Sequence, residues 1–83
     1  MNNTTEQKTV KKTEIELFII NKVRELRERE NIGQKKLSME LKLSSSYVGN
    51  AENPYYKAKY NLNHLNELAK IFNVPFSYFF PEN

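Results

Sequence analysis

The 83 residues contain no cysteine, no tryptophan, one histidine, two glycines and three prolines. The missing cysteine excludes disulfides and thiolate metal sites and points to a reducing, cytoplasmic home. The lone His64 has no cysteine or second histidine beside it, so neither a metal nor another cofactor is expected. No apolar run approaches the ~20 residues of a membrane span. Residues 1–13 lack the apolar core of a signal peptide, so no membrane partner is expected. Enzymatic chemistry also lacks its usual parts. There is no glycine-rich loop to cradle phosphate. Glu14, Glu16, Glu25, Glu28 and Glu30 crowd one segment with no nucleophile nearby, which reads as a solvated face rather than acid–base machinery. No enzyme is expected.

What is present suits one small helical domain. A chain this short has little interior and depends on good helix packing or on a partner. The formal net charge is +3, unevenly spread. Residues 33–60 hold five lysines against two glutamates, and residues 1–13 hold three lysines against one glutamate. Residues 14–32 and 61–83 are each slightly acidic. Taken alone, this is an ordinary solvated surface. Beside a suitable structural element it is a patch that attracts phosphate.

Residues 1–13 are polar, lack periodicity and read as a disordered N-terminal arm. The folded domain is expected over 14–83. Ile15, Phe18, Ile19, Val23 and Leu26 recur at three- and four-residue steps and predict a first helix over about 14–30, ended by Asn31 and Gly33. Leu37 and Leu41 predict a short second helix from Gln34 to Lys42. Ser44, Ser45 and Ser46 then offer N-caps for a third, from about Ser45 to Glu52, with Val48 and Ala51 inward. Pro54 biases Asn53 away from helical angles, and residues 53–60 read as a loop. A fourth helix begins near Asn61 or Asn63 and carries Leu62, Leu65, Leu68, Ala69 and Phe72. Pro75 suits the first turn of a short fifth, bearing Phe76, Phe79 and Phe80.

Residues 33–53 are the informative stretch: two short helices across a tight turn, the second with a polar, small-residue N-terminal half. Such a helix fits the DNA major groove, where asparagine can pair with adenine and serine can bond several bases. Ser45, Ser46, Tyr47 and Asn50 are therefore candidate base contacts. Each also has a plainer reading. The serines can be caps, Asn50 an exposed polar residue, and Tyr47 a partly buried ring. Tyr55, Tyr56 and Tyr60 could stack bases, but more simply pack the loop on the bundle.

Leu26-Arg27, then Gly33-Gln34, Leu37, Leu41, Leu43-Ser44, Val48 and Glu52 resemble the lambdoid phage repressor/Cro family, the XRE-type helix-turn-helix. The resemblance covers about residues 15–80. It implies an all-α fold, a five-helix orthogonal bundle of the lambda-repressor-like DNA-binding type whose second and third helices form the DNA-binding unit. It further implies that Gln34 and Asn53 contact phosphate, that Ser45, Ser46 and Asn50 contact bases, and that Arg27 and Glu52 form a structural ion pair. Lys57 and Lys59 flank this face as phosphate clamps. The chain departs from the family pattern at Ser38, where a packing alanine is usual and a looser contact is expected. Lys42 replaces a turn glycine and must take positive φ, or the turn must differ. Pro54 replaces a glycine, and the loop after it is longer.

The function expected on these grounds is a sequence-specific double-stranded DNA-binding regulator, a repressor, acting as a homodimer on two half-sites. Residues 75–80 would form the dimer surface or close the core. The alternative is an antitoxin or other interaction module, pairing with a small protein partner.

Overall fold

A computed structural model of the protein describes residues 11–82. The disordered arm expected over 1–13 thus falls mostly outside the described residues. Lys11–Thr13 are described, and they run without helix into the first element. That element, α1, spans Glu14–Arg29. It is followed by α2 (Gln34–Glu40), α3 (Tyr47–Ala51) and α4 (Leu62–Phe72). A 3₁₀ turn, Phe76–Phe79, closes the described chain. The described residues contain no strand. No helix among them is long and apolar enough to cross a membrane.

Among the described residues the fold is all-helical, but with four α-helices rather than five. The expected fifth is the 3₁₀ turn, held by i→i+3 bonds from Tyr78 N–H to Pro75 O and from Phe80 N–H to Ser77 O. Pro75 and Pro81 leave only five residues between them, and Pro81 has no N–H to continue the ladder. The turn still does core work. Phe79 is fully buried and belongs to the same core cluster as Val23, Leu26, Leu37, Val48, Leu65 and Leu68.

Local chemistry fixes the helix ends. Thr13 caps α1 through a reciprocal box: its hydroxyl accepts the Glu16 N–H, and the Glu16 carboxylate accepts the Thr13 N–H. Asn61 and His64 form the same kind of box at the start of α4. Three helices end alike, with a non-glycine residue at positive φ: Asn31 at 58°, Lys42 at 61° and Asn73 at 56°. After α1, Ile32 N–H reaches Arg27 O and Asn31 N–H reaches Glu28 O. After α2, Leu43 N–H reaches Ser38 O and Lys42 N–H reaches Met39 O. This is the Schellman arrangement, in which one left-handed residue lets the chain satisfy the last carbonyls. Asparagine tolerates that conformation; lysine is strained in it.

The core face of α1 differs from the expected stripe. Ile19, Ile20, Val23 and Leu26 are buried, whereas Ile15 is exposed and Phe18 only half-buried. Ile15, Leu17, Phe18, Ile19 and Ile20 are nearly continuous, so spacing alone admits two faces. In α4, Leu62 sits at the first residue and is 67% exposed. In the loop, Tyr60 is buried but Tyr55 and Tyr56 are exposed, so only one of the three rings packs the loop onto the bundle.

Candidate nucleic-acid interface

α2 and α3 form a helix–turn–helix pair through Leu37, Leu41, Val48 and Ala51, all buried. α3 is shorter than the 45–52 expected. Ser44–Ser46 form a turn in which Tyr47 N–H bonds Ser44 O, and no serine hydroxyl caps the helix. The cap comes from the neighbouring helix. The Ser38 hydroxyl accepts the Val48 N–H at 2.9 Å and donates to Gln34 O at 2.9 Å. Ser38 is fully buried, so the contact expected to be loose is a hydrogen-bonded joint.

The other end of α3 is held by charge. Arg27 reaches Glu52 with two parallel bonds of 2.9 Å and also donates to Ile32 O at 2.9 Å. The side chains of Arg27 and Glu52 are only 11% and 4% exposed. The fork-on-carboxylate geometry compensates the loss of hydration, and the Glu52 hydrogen bonds raise the Arg27 pKa despite burial. Gln34 adds a third donor to Glu52 at 2.8 Å. Its carboxamide lies across α3 where Gly49 has no side chain. A Cβ there would meet the Gln34 Oε1 at 3.1 Å.

Lys12, from the segment read as arm, donates to Ala51 O at 2.8 Å and Asn53 O at 3.3 Å. It supplies positive charge to carbonyls at the C-terminal end of α3. Partial burial lowers its pKa. Nothing in the local pattern around Lys12 signals this, because its partners lie about forty residues away. Thr13-x-x-Glu16, by contrast, is a capping box readable in the sequence, and it places the N-cap of α1 directly after Lys12.

The expected contact residues fall into two groups. Ser45 and Ser46 are exposed and Asn50 is half-buried. Among the described residues, the side chains of these three make no hydrogen bond within the fold. The others are engaged. Tyr47 packs edge-on against His64, with ring centroids 5.3 Å apart, and its hydroxyl donates to Lys59 O. Asn53 Oδ1 accepts the Tyr55 N–H, forming a turn into the loop. Lys59 pairs with Glu16 at 2.7 Å. The hydrogen bond from Lys59, followed by that from Thr13 N–H, lowers the Glu16 pKa. Lys57 is exposed and has no ion-pair partner among the described residues. A shallow groove joins Arg24, Gln34, Gly49, Asn53, Pro54 and Tyr55 along the same side. No cluster of metal-ligating side chains occurs among the described residues.

The arrangement therefore defines a helix–turn–helix protein in the structural sense: a short helix braced from behind, with an outer row of uncommitted small polar side chains. No protein-family model matches the chain, and no curated protein matches it. Among solved structures, the chain is similar to the hypothetical transcription factor NHTF from Neisseria. The TM-score is 0.69 at 15% identity, over 94% of this chain and 87% of that one. At that identity the likeness is one of fold.

Proposed function

We propose that the protein is a cytoplasmic, sequence-specific double-stranded DNA-binding regulator, a repressor of the phage repressor/Cro kind, with α3 entering the major groove. The observation that carries this reading is the division of labour on α3. Ser38, Glu52 and Lys12 hold its two ends from within the fold, while the side chains of Ser45, Ser46 and Asn50 have no hydrogen-bond partner among the described residues. Lys57, Gln34 and Asn53 flank that row as phosphate contacts, and Lys59 joins them when it leaves Glu16. The protein binds rather than catalyses. Its single histidine caps α4. Fluorescence anisotropy on a labelled duplex across a salt series tests the reading. The affinity should fall steeply with salt, as expected when lysines displace condensed counterions. No duplex binding at low salt would remove the proposal.

Homodimerisation belongs to the same proposal, because a module of this size spans too few base pairs for specific affinity. An open face supports it: Ile15, Phe18, Tyr78, Phe80 and Pro81 line two adjoining depressions beside α1. Phe76 is exposed next to Phe80. Scattering mass at rising concentration should approach that of two chains. The same face favours a second reading, an antitoxin covering it with a small partner protein. A defined one-to-one complex in place of the homodimer would select that reading.

A further inference from the structure

The outer row of α3 lies opposite the buried Val48 and Ala51 and consists of Ser46, Gly49, Asn50 and Asn53. The donors and acceptors on that row differ in availability. Asn53 Oδ1 is held by the Tyr55 N–H, and the Gln34 carboxamide alongside donates to Glu52. Asn50 carries the carboxamide that remains uncommitted among the described residues of this face. Guanine is read most often by arginine or lysine bonding its O6 and N7, and cytosine by a carboxylate accepting from its N4. Between Leu43 and Tyr56 there is no arginine or lysine. The one carboxylate there, Glu52, is 4% exposed and already accepts from Arg27 and Gln34. The serine hydroxyls bond bases of either kind.

We infer that the outer face of α3 selects A·T over G·C base pairs, and that Asn50 is the side chain that reads adenine. The inference rests on the duplex-binding reading above and adds its chemical selectivity. Asparagine presents a donor and an acceptor spaced to meet adenine N6 and N7 together. Ser45 and Ser46 then adjust to the flanking pair without imposing G or C.

Selection from a random duplex pool by the full chain and by two variants, Asn50→Ala and Asn50→Arg, tests this. The unaltered chain should enrich adenine at one position of each half-site. Asn50→Ala should lose that preference by roughly five- to a hundredfold, while low-salt binding to unselected duplex persists. Asn50→Arg should move the preference at the same position to guanine. Helical content by circular dichroism confirms that both variants fold. Enrichment of G·C by the unaltered chain, or an adenine preference that survives Asn50→Ala, overturns the inference. Failure of the unaltered chain to retain any duplex at low salt overturns the DNA-binding reading itself.

Discussion

The Ser38 hydroxyl accepts the Val48 N–H at 2.9 Å while donating to Gln34 O at 2.9 Å, so one buried side chain closes the first turn of α2 and starts α3. α3 has five residues and too few internal bonds to stand alone. Its placement depends on this joint and on the Arg27–Glu52 pair at its other end.

Replacing Ser38 with alanine leaves the buried Val48 N–H without its acceptor. The loss should be about 1–3 kcal/mol, the cost of an unsatisfied buried donor. Urea unfolding reads the stability, and amide exchange at Val48 reads the site. An unchanged midpoint would mean that another acceptor, such as a serine of the preceding turn, takes over the Val48 N–H.

Lys42→Gly should act in the opposite direction. Lys42 occupies the left-handed position at the end of α2 with φ 61°. A side chain in that conformation costs roughly 1–2 kcal/mol. Glycine removes this strain, but part of the gain is offset by the freedom it adds to the unfolded chain. The net stabilisation should be about 1 kcal/mol, raising Tm by roughly 4–8 °C for a domain of this size. A lowered Tm would show that the lysine side chain makes a compensating contact.

These two positions show what spacing can and cannot reveal. The helices and the α2–α3 pair follow from apolar periodicity and from Gly33, Asn31 and Pro54, all local signals. Ser38 is different. In sequence it is a small polar residue in a helix, and its acceptor role exists only once Val48, ten residues on, is folded over it. The local capping rule offers Ser44–Ser46 as caps for this helix because it considers only neighbours. On α1, five apolar residues between Ile15 and Ile20 leave the inward face undecided until α4 and Phe79 pack. Lys12 and Lys59 read as generic basic residues because their partners lie 39 to 43 positions away. The outward set of Ser45, Ser46 and Asn50 was readable because it follows from the buried set of Val48 and Ala51.

His64 makes stability depend on pH. Its Nδ1 accepts the Asn61 N–H at 3.1 Å, and its ring packs against Tyr47 and Tyr60. Burial lowers its pKa below the ordinary 6.5. The unfolded chain therefore takes up this proton more readily than the folded one. The contribution of neutral His64 is complete above about pH 6.5 and is lost as the pH falls through the depressed folded-state value. Urea midpoints at pH 7.5 and 5.5 should show the acid loss. In His64→Gln, which keeps a side-chain acceptor for the Asn61 N–H but does not titrate, the difference should shrink. An equal difference in both proteins would assign the effect to carboxylates.

Glu16 and Lys59 give a prediction that links the fold to the proposed interface. Their 2.7 Å pair holds a lysine of the 53–60 loop against the start of α1. Glu16→Gln removes the charge while keeping a side chain able to complete the box with Thr13. Lys59 is then free to meet the DNA backbone. On a fixed duplex the affinity at low salt should rise, and the slope of log K against log salt should steepen by about 0.9, the value for one added phosphate contact. Adding Lys59→Ala to Glu16→Gln should abolish the added slope. If Glu16→Gln leaves the slope unchanged, Lys59 does not reach phosphate even when released, and Lys57 remains as the lysine of that loop left to make the contact.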